Sequence, residues 1–187
     1  MTAEIDETLL VAQPIAGGFT WTLASRLGIL LVEAEHRYGP RNRTFTILGV
    51  EFREGVPQSW FPGNCGHVIV QLGTSAMKDP QRALFQLAHE CIHLLDPDAG
   101  GTNKLEEGLA THFALDIMKS QGVDYSSGDP RYDAACNLAR KVLEGWPTAV
   151  KQLRAKYGPW KSVTEQQILE ECAGIAAPVA HELASPF

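Results

Sequence analysis

The chain contains no run of basic residues, and short pairs such as Arg41-Asn42-Arg43 are too small to act as one. With 16 Lys and Arg against 22 Asp and Glu, the net charge is −6. That balance lacks the positive footprint needed to neutralise phosphates, so no nucleic acid is expected among the partners. Apolar runs are also short: Leu27–Val32 falls far below the roughly 20 residues that span a bilayer, so no membrane association is expected. The N-terminus carries Glu4, Asp6 and Glu7 where a secretory leader would need positive charge. The four cysteines, Cys65, Cys91, Cys136 and Cys172, form no C-x-x-C, which removes the common zinc-knuckle and dithiol motifs. Widely scattered, they read as free thiols of a reducing compartment, and a cytoplasmic protein is expected. There is no internal repeat, low-complexity tract or linker-like stretch, so residues 1–187 are expected to form a single domain.

What is present alternates between helical and extended signals, and α+β is the expected class: a small sheet packed on a mainly helical domain. Residues 1–18, broken by Pro14 and Gly17-Gly18, are expected to be poorly ordered. An amphipathic helix is expected over Thr20–Tyr38, ended by Gly39-Pro40. Thr44–Phe52 and His67–Leu72 are rich in β-branched and aromatic residues and read as strands, with a loop between them. Two helices are then expected, over Pro80–Leu95 and Asn103–Ser120, joined by the turn Asp98–Thr102. Three shorter helices follow, at Arg131–Glu144, Pro147–Tyr157 and Ser162–Ala173, before a tail from Gly174 whose order the sequence leaves open.

The helix at 80–95 is the best signalled. Asp79-Pro80 supplies a cap and a first-turn proline, and Asp96-Pro97 forbids continuation. At about 100° per residue, Leu84, Leu87, Ala88, Cys91 and Ile92 share one broad face. His89, Glu90 and His93 fall on the other, so two imidazoles four residues apart can converge on one ion, with a carboxylate beside them. A third ligand is on offer downstream in Glu106-Glu107. Two histidines and one glutamate leave the fourth position of a zinc site for water.

His89-Glu90-x-x-His93, thirteen residues, then Glu107-Gly108-Leu109-Ala110 resembles the gluzincin class of metallopeptidases. Glu107-x-x-Ala110-x-x-Phe113-Ala114 is also similar to compact peptidases of the ImmA/IrrE type. The likeness runs from about Leu84 to Met118. It implies a zincin-like fold with the His-Glu-x-x-His helix central, Zn2+ held by His89, His93 and Glu107, and Glu90 as catalytic base. It also implies that the strand before this helix is a sheet edge to which an extended substrate adds. Local arguments agree on Glu107: Glu106 occupies the third position after the cap Asn103, where a capping box uses its carboxylate, and Ala110 and Ala114 follow Glu107 on a close-packing stripe. Thr111 departs from relatives that carry an acidic residue at that place.

In such a site Glu90 would take a proton from metal-activated water and return it to the leaving amine. Tyr125, Tyr132, Tyr157, His112 and His181 are the candidates for a second oxyanion donor, and Asp96, Asp98 and Asp116 for outer partners of the imidazoles. The expected function is a zinc peptidase acting on a protein or peptide, either a regulatory protease or a protease toxin. The alternatives are a zinc-binding regulatory protein with little turnover and a hydrolase of non-peptide amides. Nothing in the sequence indicates an oligomeric state.

Overall fold

The computed structural model describes residues 4–187. Among these residues, seven α-helices carry a small mixed sheet, an α+β arrangement. The lead-in is more ordered than its breakers suggest. Asp6 caps a 3-10 turn at Glu7–Leu9 by accepting the Thr8 N–H at 2.9 Å, and Leu9 is buried. A hairpin of β1 (Pro14–Ile15) and β2 (Gly18–Phe19) follows, its turn using the positive φ of Gly17. The breakers therefore mark a tight turn between short strands.

Helix α1 (Leu23–Tyr38) starts at a capping box of Thr22 and Ser25 and buries Leu23, Leu27, Leu30 and Ala34. Strand β3 (Thr46–Arg53) then pairs in parallel with β5 (His67–Gly73), which rules out a hairpin between them. A third strand lies inside the segment expected as loop. β4 (Gln58–Trp60) is short and flanked by Pro57 and Pro62, and it pairs antiparallel with β5. The order β3-β5-β4 makes β5 the central strand, correcting its expected place at the sheet edge. This position accounts for its unbroken apolar run: Val68, Val70 and Leu72 are wholly buried.

Helix α2 (Pro80–His93) ends two residues before the expected Leu95, because Leu94 and Leu95 tighten into a last turn in which the Leu95 N–H reaches the Ile92 carbonyl. Arg154, from α5 (Ala149–Tyr157), donates to the carbonyls of Leu95, Gly39 and Pro40 and pairs with Asp96. One buried guanidinium thus ties the C-terminal ends of α1 and α2 together. Helix α3 (Lys104–Ser120) is almost wholly enclosed, with Leu105, Leu109, Phe113 and Met118 in the core. Helices α4 (Pro130–Gly145), α5 and α6 (Glu165–Glu171) match the three shorter helices expected, apart from a 3-10 turn at Trp160–Ser162. The tail is helical as well: α7 (Ala177–Ala184) buries Ala180 and Leu183, and Pro178 sits in its first turn, where the missing N–H costs nothing.

Helices α3 and α4 approach closely at Gly108. A Cβ there would lie 2.3 Å from the Ala135 carbonyl oxygen and 2.9 Å from the Ala139 Cβ. α3 and α4 can be this close only because position 108 has no side chain. Gly108→Ala should therefore push α4 away and cost about 1–3 kcal/mol, read as a lowered urea midpoint. A midpoint equal to the parent would mean that α4 yields without strain.

Candidate metal centre

The centre forms where the C-terminal turn of α2 meets the first turn of α3. Asn103 caps α3 by accepting the Glu106 N–H at 2.9 Å, and its amide donates to the Trp160 carbonyl. The helix start is thereby fixed against the core, and Glu106 and Glu107 in the first turn face His89 and His93 on α2. Helix polarity favours this meeting, since carboxylates are stabilised at an N-terminus and imidazolium at a C-terminus.

His89 Nε2 lies 3.1 Å from Glu107 Oε2 and 3.3 Å from His93 Nε2, and His93 Nε2 is 3.6 Å from Glu107 Oε1. The three side chains offer ligand atoms all within 4.8 Å of one another, a group that could hold a metal ion. Thr102 Oγ1 donates to Glu107 Oε1 at 2.7 Å and holds the carboxylate in place. The face of α2 that a bare pattern would allow to be solvated is enclosed: His89 is 8% exposed and Glu90 4%.

Glu106 behaves differently from expectation. Its backbone N–H completes the cap, but its carboxylate does not return to Asn103; it accepts from His93 Nδ1 at 2.7 Å. Once His93 loses its second proton, this bond keeps the remaining one on Nδ1 and leaves the Nε2 lone pair facing His89 and Glu107, the arrangement of an outer partner to a metal-bound imidazole. The aspartates considered for that role are engaged elsewhere: Asp96 with Arg154, Asp98 with Lys161 and Asp116 with Arg37. Thr111 is fully buried, its hydroxyl has no partner, and it makes no hydrogen bond to the cluster. Sequence reasoning recognised the position of Glu106 but credited it to helix capping. The available signal was its place one turn from both imidazoles, which becomes visible once α2 and α3 are packed.

Glu90 lies beside the cluster with its carboxyl pushed up, first by burial and then by the charge of Glu107, against the pull of both imidazoles. Ser59 Oγ, on β4, approaches Glu90 Oε2 at 3.4 Å. Of the five candidate donors only Tyr132 reaches the ligands. Its ring packs edge-on to His89 at 5.6 Å, and its phenol is pushed up to about 12, first by burial and then by Glu107 and Glu90. Tyr125 stacks on Phe85 at 4.8 Å further along the cleft. Tyr157 donates to Glu170, His181 pairs with Glu165, and His112 lies between α3 and α4 with an unpartnered Nδ1. These three are remote from the centre.

Two cavities meet at the ligands. One, of about 200 Å³, is lined by Gln58, Ser59, Asp98, Gly100 and Lys161. The other, of about 340 Å³, is lined by Val56, Phe85, Tyr125 and Asp129. Both include Pro57, His89, Glu90 and Tyr132, so the cleft runs past the centre and opens on either side of it. β4 forms one wall and presents its unpaired outer edge.

Compared with known proteins, the chain matches no family model, no curated protein and no solved structure. No helix among the described residues is long and apolar enough to cross a membrane. All four cysteines are free; three are buried and Cys65 is exposed.

Charge makes the centre pH-sensitive. Burial works against a proton on His93, but the bond to Glu106 and the charges of Glu107, Glu106 and Glu90 outweigh it and raise the imidazole to about 10. Burial raises Glu107, yet its bond to His89 and the charges of both imidazoles bring it down to about 2. In metal-free protein the His93 contribution to stability is complete below its ordinary value of 6.5 and is lost as pH rises toward 10. Metal must displace that proton, so affinity should rise through the same window. Opposite slopes of thermal midpoint with chelator and of metal affinity against pH are the expected result; parallel slopes would place the proton elsewhere. Glu106→Ala should lower metal affinity about 10–100-fold with the fold retained, read by chelator competition. Unchanged affinity would return Glu106 to a capping role.

Proposed function

We propose that the protein is a zinc-dependent peptidase in which His89, His93 and Glu107 hold the metal and Glu90 is the catalytic base. The observation that carries this reading is the placement of Glu90. It is a buried carboxyl, raised above its ordinary range, adjoining a two-imidazole, one-carboxylate ligand set inside a through-running cleft. A scaffold that only binds metal has no use for such a group.

The ligand spacing supports zinc. Tetrahedral zinc with bonds of about 2.0–2.2 Å sets neighbouring ligand atoms about 3.3–3.6 Å apart. The two imidazole nitrogens lie 3.3 Å apart, within that range, and stand 3.1 and 3.6 Å from the two different oxygens of the Glu107 carboxylate. Bound zinc would supply Lewis acidity, polarising the scissile carbonyl and easing loss of a proton from the attacking water.

The chain's own residues carry the rest. Glu90 accepts that proton and passes it to the leaving nitrogen, a transfer favoured by a carboxyl whose affinity for protons burial has raised. Ser59 steadies Glu90 from β4. Tyr132 keeps its phenolic proton at neutral pH and donates it as a hydrogen bond to the developing oxyanion. The free edge of β4 takes an extended peptide by main-chain pairing, and the cleft's two open ends leave room for chain on both sides of the cut. This general design is the one that the gluzincin likeness implies. The edge strand is β4, however, not the strand immediately before α2.

Metal analysis and peptide-library cleavage on the parent and on Glu90→Gln test the proposal. The parent should carry about one zinc per chain, and the variant should keep it while losing at least about a hundredfold in turnover. Equal rates would remove Glu90 from the chemistry. Iron in place of zinc, or zinc with no cleavage of any peptide, would overturn the peptidase reading.

A further inference from the structure

We infer that the C-terminal strap Ser185–Phe187 is a positioning element of the metal centre, acting on one ligand through Tyr132 and on another through Thr102. The inference rests on the metal reading of the His–Glu cluster.

The strap leaves α7 at Ser185 and runs antiparallel to the segment that opens α3. The Ser185 carbonyl accepts the Lys104 N–H at 3.0 Å, Pro186 bridges Asn103, and the Phe187 N–H donates to the Thr102 carbonyl at 3.1 Å. The Lys104 N–H is the first amide of α3 and has no partner within its own helix, so the strap supplies one. These bonds immobilise the backbone of Thr102, whose hydroxyl holds Glu107 at 2.7 Å. A strap that loosened would free Thr102, and the Glu107 carboxylate would lose the donor that fixes its rotamer.

The second route is aromatic. The Phe187 ring lies 4.7 Å from the Tyr132 ring, and the Arg131 guanidinium lies over the Phe187 ring at 5.7 Å. Tyr132 is therefore held between Phe187 and His89, and the His89 ring meets it edge-on. Among the described residues the Tyr132 hydroxyl has no hydrogen-bond partner, and the ring contacts with Phe187 and His89 orient the side chain. Phe187 is 36% exposed, so its packing contributes little to the global core. Its contacts are instead concentrated on the first turn of α4, beside the centre. Removing the ring should consequently act on the centre far more than on overall stability.

Phe187→Ala in the full chain tests this by two measurements. Zinc affinity by chelator competition should fall about tenfold, the low end for loss of an outer-shell support. In metal-free protein the His89 imidazole resonances, which feel the Tyr132 ring, should move, while those of His36 and His181 stay in place. Phe187→Tyr should restore both. Glu182→Gln, which breaks the exposed pair between Lys104 and Glu182 without touching the strap, should change neither. Parent-like zinc affinity together with unmoved His89 resonances in Phe187→Ala would overturn the inference. So would an equal loss in Glu182→Gln, which would mean that general loosening of α7 is responsible. If the parent binds no zinc, the metal reading fails, and the His89 resonances still decide whether the strap positions Tyr132.

Discussion

Everything near the centre depends on keeping three carboxylates and two imidazoles together out of water. Glu90, Glu106 and Glu107 are all nearly buried, as is His89, and an isolated buried carboxylate is strongly disfavoured. The cluster is tolerable because its charges offset one another and because two helix ends of opposite polarity meet there. The carboxylates of the first turn of α3 sit in the positive field of their own N-terminus. His93, at the end of α2, sits in the negative field of its helix. A metal cation would replace the proton on His93 in the same balance.

The rest of the architecture serves this encounter. Arg154 locks the end of α2 to the end of α1, and Asn103 locks the start of α3 to Trp160, so neither helix end can slide. Gly108 brings α4 onto α3 at a distance that no other residue would allow, and this delivers Tyr132 to the edge of His89. Opposite Tyr132, β4 brings Ser59 to Glu90 and leaves a free strand edge along the cleft. The cleft is thus walled by an element with rigid packing on one side and by a short edge strand on the other.

Much of this was legible in advance because helical spacing is local. The four-residue interval between His89 and His93 places both rings on one face of any regular helix, and Asp79-Pro80, Asp96-Pro97 and Asn103 mark where the helices begin and end. The ends of α2 and α3 were legible to within two residues, and the starts of α1 and α6 to within three. The separation of Glu106 from Glu107 was argued from a capping box, and here the local rule was incomplete: the Asn103 half formed, while the carboxylate found a stronger, charge-assisted partner in His93. A local motif competes with every group that the fold brings near, and the sequence does not contain that list.

The amino-acid sequence by itself determined helices α1 to α6, the apolar strand β5 and the His89–His93 pair with its candidate carboxylates, because each depends on neighbours a few residues away. Only the tertiary structure decided which strand faces the cleft, which tyrosine meets the ligands, which carboxylate orients His93 and how the tail is used. β4 was hidden by the prolines that flank it, Tyr132 was one of five equivalent candidates, and the strap belonged to a tail with two prolines whose order was left open. Each of these depends on contacts between residues far apart in the chain, such as Thr102 with Phe187 and Ser59 with Glu90. Such contacts form only when packing has fixed the distance between elements, and no local pattern encodes that distance.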